Sequence, residues 1–332
     1  MSRVAVLGAG AWGTALADLL ARKGHEVRLW AHEPDVATAI NADHLNPLYF
    51  PDAPLDPRLI ASSDLGAVLD GAPVICSVAP SHVTRALFER AAPMVRPGTH
   101  LVCATKGIET ETLALMSDVA SEVLPQAPFV ALSGPSFADE VHEGQPTAIV
   151  AASLDEAACE AVQQLFSTPY FRVYTGSDVT GVELAGSLKN TMAIAAGILE
   201  GLGLGHNPRA ALLTRGLAEM ARLGAALGAR PETFAGLAGM GDLILTCTGA
   251  LSRNRQLGVL LAQGMTLDDY RATHRNVAEG VNTALGASRL AAKHGVAMPI
   301  TEQVAAVLYQ GASPREAIRM LMERELKAER WT

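Results

Sequence analysis

No stretch of about eighteen uninterrupted apolar residues occurs in this sequence, which excludes a membrane-spanning helix. There are only four cysteines, Cys76, Cys103, Cys159 and Cys247, and none stands in a C-x-x-C or Cys/His ligand spacing. That excludes a zinc site and a disulfide framework, and it points to buried thiols in a reducing compartment. No basic block is present: 26 Lys and Arg stand against 34 Asp and Glu, for a net charge of −8. Nucleic acid is therefore not an expected partner, and an anionic ligand would have to be held by a few local cations. Internal repeats, low-complexity tracts and Pro- or Ser-rich linkers are missing as well. At 49% hydrophobic and 18% charged residues, the 332-residue chain reads as globular, and it is long enough for two domains. An apolar strand begins at residue 3, so a cleaved leader is not expected and a cytoplasmic location is.

That first strand, Val4-Ala5-Val6-Leu7, breaks into Gly8-Ala9-Gly10-Ala11-Trp12-Gly13, a G-x-G-x-x-G turn. In such a turn Gly8 permits the tight reversal, Gly10 lets backbone approach a pyrophosphate, and Gly13 lets helix pack closely on strand. A helix from about Ala11 to Lys23, ended by Gly24, would aim its positive N-terminus at that pyrophosphate. A second strand, His25 to Trp30, returns at the spacing of a βαβ unit. The carboxylate that reads both ribose hydroxyls of NAD is missing from its end, which runs Trp30-Ala31-His32-Glu33-Pro34. His32 can donate to a 2′-phosphate or leave room for it, so NADPH is expected ahead of NADH. The alternative is an ordinary loop histidine.

Further apolar segments recur at Val74–Val78, Leu101–Thr105, Phe129–Leu132, Ala148–Ala151 and Phe171–Tyr174, alternating with helical stretches such as Leu113–Val123 and Glu156–Phe166. This predicts an α/β N-terminal Rossmann-type doubly wound sheet. From about Gly181 the strand signal stops, and an all-α C-terminal domain is expected. The division is placed at residues 1–184 and 185–332, with a long connecting helix near 181–202. In the second half, Leu213, Leu217, Met220, Leu223 and Leu227 form a core stripe at helical spacing, and Ser313-Pro314-Arg315-Glu316 opens a terminal helix.

Ligands of open parallel sheets bind beyond the carboxyl ends of the strands. Three loops fall there: Ala79-Pro80-Ser81-His82, Lys106-Gly107, and Ser133-Gly134-Pro135-Ser136. Lys106 places a cation where backbone can approach a ligand, or it is a surface lysine in a turn. Ser136, with Asp139 three residues on, also fits a capping box. In the helical half, Lys189 stands inside the small, apolar run Ala185-Gly186-Ser187-Leu188-Lys189-Asn190-Thr191-Met192. Burial would depress its pKa and make it a usable acid or base near neutrality, whereas snorkelling would keep its ammonium in water. Asp242, in Gly239-Met240-Gly241-Asp242-Leu243, is its candidate partner or a helix cap. The cluster Thr246-Cys247-Thr248 followed by Ser252-Arg253-Asn254-Arg255 suits a phosphate, although an isolated S-R-N-R is merely a solvated helix start. Glu279, in Val277-Ala278-Glu279-Gly280, can accept from a cofactor amide or cap a helix.

Together these stretches resemble the NAD(P)-dependent glycerol-3-phosphate dehydrogenases of bacterial type. The likeness is carried by Gly8-Ala9-Gly10-Ala11-Trp12-Gly13-Thr14, Ala104-Thr105-Lys106-Gly107, Ser133-Gly134-Pro135-Ser136-Phe137-Ala138, Leu188-Lys189-Asn190, Gly241-Asp242-Leu243 with Thr246-Cys247-Thr248, and Ser252-Arg253-Asn254. The resemblance implies reduction of dihydroxyacetone phosphate to sn-glycerol 3-phosphate, a phospholipid precursor. It implies cofactor contacts from Ala11, Trp12, His32, Lys106, Ala138, Arg253, Val277 and Glu279 alongside the turn glycines. Substrate would be surrounded by Lys106, Gly134, Ser136, Lys189, Asp242, Ser252, Arg253 and Asn254. Lys189 would transfer the proton, Asp242 would position it, and Lys106 would stabilise developing charge. A homodimer and no metal are expected. Ala11 departs from the serine of many relatives, and His32 from their arginine. Two other readings fit the layout: a 3-hydroxyacid or 6-phosphogluconate-type dehydrogenase, and a non-catalytic NADPH-binding regulator.

Overall fold

The computed structural model describes residues 2–274, 278–326, 328 and 329. Its chain separates into two compact units, one of Met1–Thr105 with Met116–Val179 and the other of Lys106–Leu115 with Thr180–Thr332.

The first unit is built on an eight-stranded sheet: β1 (Arg3–Leu7), β2 (Glu26–Trp30), β3 (Ile60–Ser62), β4 (Val74–Ser77), β5 (His100–Cys103), β6 (Phe129–Ser133), β7 (Thr147–Ala152) and β8 (Phe171–Gly176). In space they run β3-β2-β1-β4-β5-β6-β7-β8. The pairs from β3 through β6 are parallel, β6 meets β7 antiparallel, and β7 and β8 are parallel to each other. Val4, Ala5, Val6 and Leu7 are fully buried, as a central parallel strand covered on both faces requires. At the edge, β8 alternates instead: Phe171 and Val173 are buried, Arg172 and Tyr174 exposed. Chain order reverses between β1 and β4, which makes the carboxyl ends of those two strands the switch point of the sheet.

Two elements differ from the sequence reading. β3 is a three-residue edge strand, too short for a periodic signal. The helix expected from Leu113 starts at Met116, because Leu113 adopts a left-handed conformation (φ 65°) and Glu109–Ala114 closes into a turn.

The second unit contains no strand among its described residues. Its long helix Val179–Gly201 is buried almost throughout, and its backbone crosses the helix Arg253–Ala262 in direct contact. A Cβ at Gly197 would lie 1.9 Å from the Arg255 carbonyl oxygen, and one at Gly258 would lie 2.1 Å from that of Ile194. Only glycine fits there. The crossing sets Asn254 against Asn190, whose side chains are hydrogen-bonded at 3.0 Å. In the helix His206–Ala226, Leu217, Met220 and Leu223 are buried as the stripe predicts, whereas Leu213 and Leu227, at the stripe's two ends, are only half-buried, and Ser313 caps the helix Pro314–Met322 with its side chain.

Candidate active site

In the first unit the glycine turn joins β1 to the helix Ala11–Arg22. Gly8 adopts φ 119°, and a Cβ on Gly13 would lie 1.9 Å from the Gly8 carbonyl oxygen, so both glycines are required by the backbone. Gly10 is different. Its φ of −70° suits any residue, and an added Cβ would meet nothing within 4 Å. The space above it is open. Gly10 is also the N-cap of a helix that has no side-chain cap, so the first-turn amides face outward unclaimed by a capping side chain. Trp12, the second residue of that helix, has a buried Nε1 without a hydrogen-bond partner among the described residues. An open cradle, an uncapped helix start and an orphaned donor fit a dinucleotide pyrophosphate.

At the end of β2, exposed His32 meets the Trp30 ring edge-on at 5.9 Å, and the Arg90 guanidinium lies 5.5 Å from the same ring. Arg90 was not marked by the sequence, because it comes from a helix sixty residues along with no motif of its own. After β6, Gly134 is buried at φ 147°. The Ser136 hydroxyl donates to the Gly134 carbonyl at 3.0 Å. This corrects the capping-box expectation: the N-cap of Ala138–His142 is Phe137, and Ser136 stabilises the loop. Ala138 is the first residue of that helix.

In the second unit three charges meet. Lys189, on the buried helix Val179–Gly201, donates to Asp242 Oδ1 at 2.5 Å, and Lys106 donates to Asp242 Oδ2 at 2.7 Å. Asp242 is only 1% exposed and Lys189 8%. Lys189 therefore does not snorkel, and Asp242 is not a side-chain cap: it opens the helix Asp242–Thr248 behind Gly241, after the wide turn Leu237–Gly241. Burial pulls the Lys189 pKa down to about 8; Asp242 pulls it up and Lys106 pushes it further down. The neighbouring Cys247 thiol is pushed up to about 12 by burial, so it remains protonated.

Around this cluster lies a network of amides and hydroxyls. Asn254 donates to Asn190 Oδ1 at 3.0 Å and accepts from the Gly280 backbone N–H at 2.8 Å, while Asn190 Nδ2 lies 3.5 Å from the Lys106 carbonyl. Ser252 is the N-cap of Arg253–Ala262, accepting from the Arg255 N–H, with its hydroxyl 3.2 Å from that of Thr246. Arg253 is exposed at the start of that helix, and Glu279 opens Glu279–Lys293. Val277 lies outside the described residues. Asn190 completes the network and was not singled out as a site residue; its signal was its place beside Lys189.

A doubly wound sheet opening on a glycine turn, together with a helical unit holding a buried Lys–Asp–Lys cluster, defines a nicotinamide-dependent dehydrogenase. Residues 3–159 match the family model of the NAD-dependent glycerol-3-phosphate dehydrogenase N-terminus, and residues 178–319 that of its C-terminus. The chain belongs to this family. It is 56% identical over 332 residues to glycerol-3-phosphate dehydrogenase [NAD(P)+] of Geobacter sulfurreducens, covering 99% of each chain. It is 54% identical over 336 residues to that of Koribacter versatilis, covering 100% of each. The crystal structure of glycerol-3-phosphate dehydrogenase from Coxiella burnetii superposes with a TM-score of 0.94 at 41% identity, over 97% of this chain and 99% of that one.

Proposed function

We propose that the protein reduces dihydroxyacetone phosphate to sn-glycerol 3-phosphate with NADPH, or with NADH in its place, and so feeds glycerophospholipid synthesis. The single observation that carries this reading is the buried cluster of Lys189, Asp242 and Lys106. The reduced nicotinamide supplies the hydride for the C2 carbonyl. Negative charge then develops on the C2 oxygen, and Lys189 Nζ holds the proton that this oxygen takes. Asp242 keeps the Lys189 ammonium aimed and can accept from a substrate hydroxyl. Lys106 remains as fixed positive charge beside the reacting oxygen. Arg253, exposed at a helix start with Ser252 and Asn254 on either side, clamps the phosphate with planar donors. Asn254 spends one amide hydrogen on Asn190 and retains the other for a phosphate oxygen. Binding energy from the phosphate thereby fixes the orientation of the carbonyl.

On this reading residues 1–184 bind the cofactor, through Gly8, Gly10, Ala11, Trp12, Gly13, His32 and Ala138, and residues 185–332 bind the substrate. Gly134 and Ser136 shape the substrate loop. No helix among the described residues is long and apolar enough to cross a membrane. A cytoplasmic homodimer that binds neither nucleic acid nor membrane completes the proposal.

The test is one oxidation assay with NADPH and with NADH, offering dihydroxyacetone phosphate, dihydroxyacetone and a hydroxyacid-type keto acid. Turnover of the phosphate substrate above the other two, with kcat/KM higher for NADPH, is expected. Preference for the keto acid would point to a carboxylate-specific dehydrogenase. Binding without turnover would point to a regulator.

A further inference from the structure

Beneath the glycine turn lies a buried amide that no nucleotide motif includes. Asn46 is 0% exposed. Its side-chain nitrogen donates to the Ala9 carbonyl at 3.0 Å and to the Thr14 hydroxyl at 2.8 Å, and its Oδ1 accepts from the Leu48 N–H at 3.1 Å. Ala9 is the residue between the first two glycines of the turn, and Thr14 lies in the first turns of the helix that follows. One primary amide thus uses both of its hydrogens to tie the two ends of the phosphate cradle together.

The consequence for Gly10 follows from peptide planarity. In a trans peptide the carbonyl of one residue and the N–H of the next point in opposite directions. Holding the Ala9 carbonyl against Asn46 therefore turns the Gly10 N–H the opposite way, away from Asn46, at a residue where even an added Cβ would meet no atom within 4 Å. The tie is stiff at its base. Phe50 N–H donates to the Asn46 carbonyl at 2.8 Å, and Asp56 N–H donates to Asp18 Oδ1 at 2.7 Å, strapping the segment to the helix Ala11–Arg22. On the other side of the turn, Gly8 N–H donates to the Trp30 carbonyl at 3.1 Å.

We propose that Asn46 is a positioning residue for the cofactor: it fixes the Ala9–Gly10 peptide so that the Gly10 N–H faces the pyrophosphate. The inference rests on the reading of the glycine turn as the pyrophosphate site. It assigns Asn46 an effect on dinucleotide affinity that is separate from its share in stability. A loosened peptide must be ordered each time the ligand binds, whereas none of the bonds of the Asn46 side chain involves Lys189, Asp242 or Lys106.

The experiment compares wild type with Asn46→Ser, Asn46→Asp and Gly10→Ala. NADPH dissociation constants are read from tryptophan quenching, steady-state constants from turnover, and folding from circular dichroism and thermal melts. Asn46→Ser removes the amide without placing a charge in the interior, and Asn46→Asp keeps the shape while replacing donors by acceptors. For both, a rise in NADPH Kd of roughly 3- to 30-fold is expected, the scale of one or two lost hydrogen bonds. KM for dihydroxyacetone phosphate and kcat at saturating NADPH should stay within about twofold of wild type. Lower melting temperatures with an NADPH Kd within about twofold of wild type in whichever Asn46 variant folds would overturn the proposal and leave Asn46 a purely structural residue. Failure of both variants to fold would do the same. Gly10→Ala separates this from the underlying reading: if it too leaves Kd unchanged, the turn itself is not the pyrophosphate site.

Discussion

Lys106 and Lys189 hold opposite oxygens of the same carboxylate, at 2.7 Å and 2.5 Å from Asp242 Oδ2 and Oδ1. Each ammonium is attracted to Asp242 and repelled by the other, so the proton affinity of Lys189 is set by a balance of two neighbours on top of its burial. Reduction needs Lys189 protonated, and kcat should therefore fall as pH rises through a value near 8. Lys106→Met removes the repulsion and should move this alkaline limb to higher pH, while lowering kcat overall. Asp242→Asn removes the attraction and should move it to lower pH. Profiles of kcat against pH for the three proteins check the ordering. Limbs that coincide would mean that Lys189 is not the group being titrated.

Lys189→Met keeps the buried stem and removes the charge. It should cut kcat by roughly 10²–10⁴-fold, the usual worth of a positioned acid, while NADPH affinity remains near wild type. Asp242 keeps Lys106 as a partner, so no carboxylate is left buried and unpaired. Melting temperature should accordingly be no lower than wild type. A variant that still reduces dihydroxyacetone phosphate within a few-fold of wild type would shift the proton donor away from Lys189.

Arg253→Ala should raise KM for dihydroxyacetone phosphate by roughly 10- to 150-fold, corresponding to the ~1.5–3 kcal/mol of a hydrogen bond to a charged group. Dihydroxyacetone, which lacks the phosphate, supplies the control: its kcat/KM should barely change. Equal losses for both substrates would show that Arg253 acts on something other than the phosphate.

Glu219 offers a test of stability that leaves catalysis aside. From the helix His206–Ala226 it accepts backbone N–H bonds from Ile300 and Thr301, at the start of the helix Pro299–Tyr309. Burial pushes its carboxyl up to about 7 from the ordinary 4.5, against the opposing pull of the Ile300 and Thr301 amides and of Arg222. A raised folded-state value means that the native protein binds the proton more tightly than the unfolded chain. The associated stability is fully present below pH 4.5 and is lost as pH rises through about 7. Glu219→Gln cannot titrate, so relative to wild type it should gain about 2–4 kcal/mol between pH 4.5 and pH 8. Chemical denaturation of both proteins at the two pH values measures this difference. An unchanged difference would place the Glu219 carboxyl near its ordinary value.

The alternation of strands and helices up to Gly176, the long apolar helix over Val179–Gly201 and the glycine turn were legible in the sequence, since each is a local pattern of residue size, polarity or backbone freedom. Lys189 was legible for a related reason: an ammonium inside a small, apolar helical run either has a partner or is costly. Other features were not. The reversal of β7 and β8 leaves no mark, because an apolar run reads the same in either direction. Ser136 resembled a cap by spacing, yet its hydroxyl turned to the Gly134 carbonyl and the helix began one residue later, a choice made by loop geometry.

The sequence by itself determined which residue types were available: three glycines for a turn, two lysines and one aspartate of uncertain partnership, and a hydroxyl–guanidinium–amide cluster. Only the tertiary structure decided that Lys106 and Lys189, far apart in the chain, would close on one carboxylate, and that Lys106–Leu115 would pack with the helical unit. Asn46 reaching under Ala9 and Thr14 was decided the same way. Periodicity and propensity report interactions within a few residues. Contacts over tens or hundreds of residues depend on how whole elements stack, and that is fixed by the burial of their apolar faces and by close crossings such as that of Gly197 with Gly258.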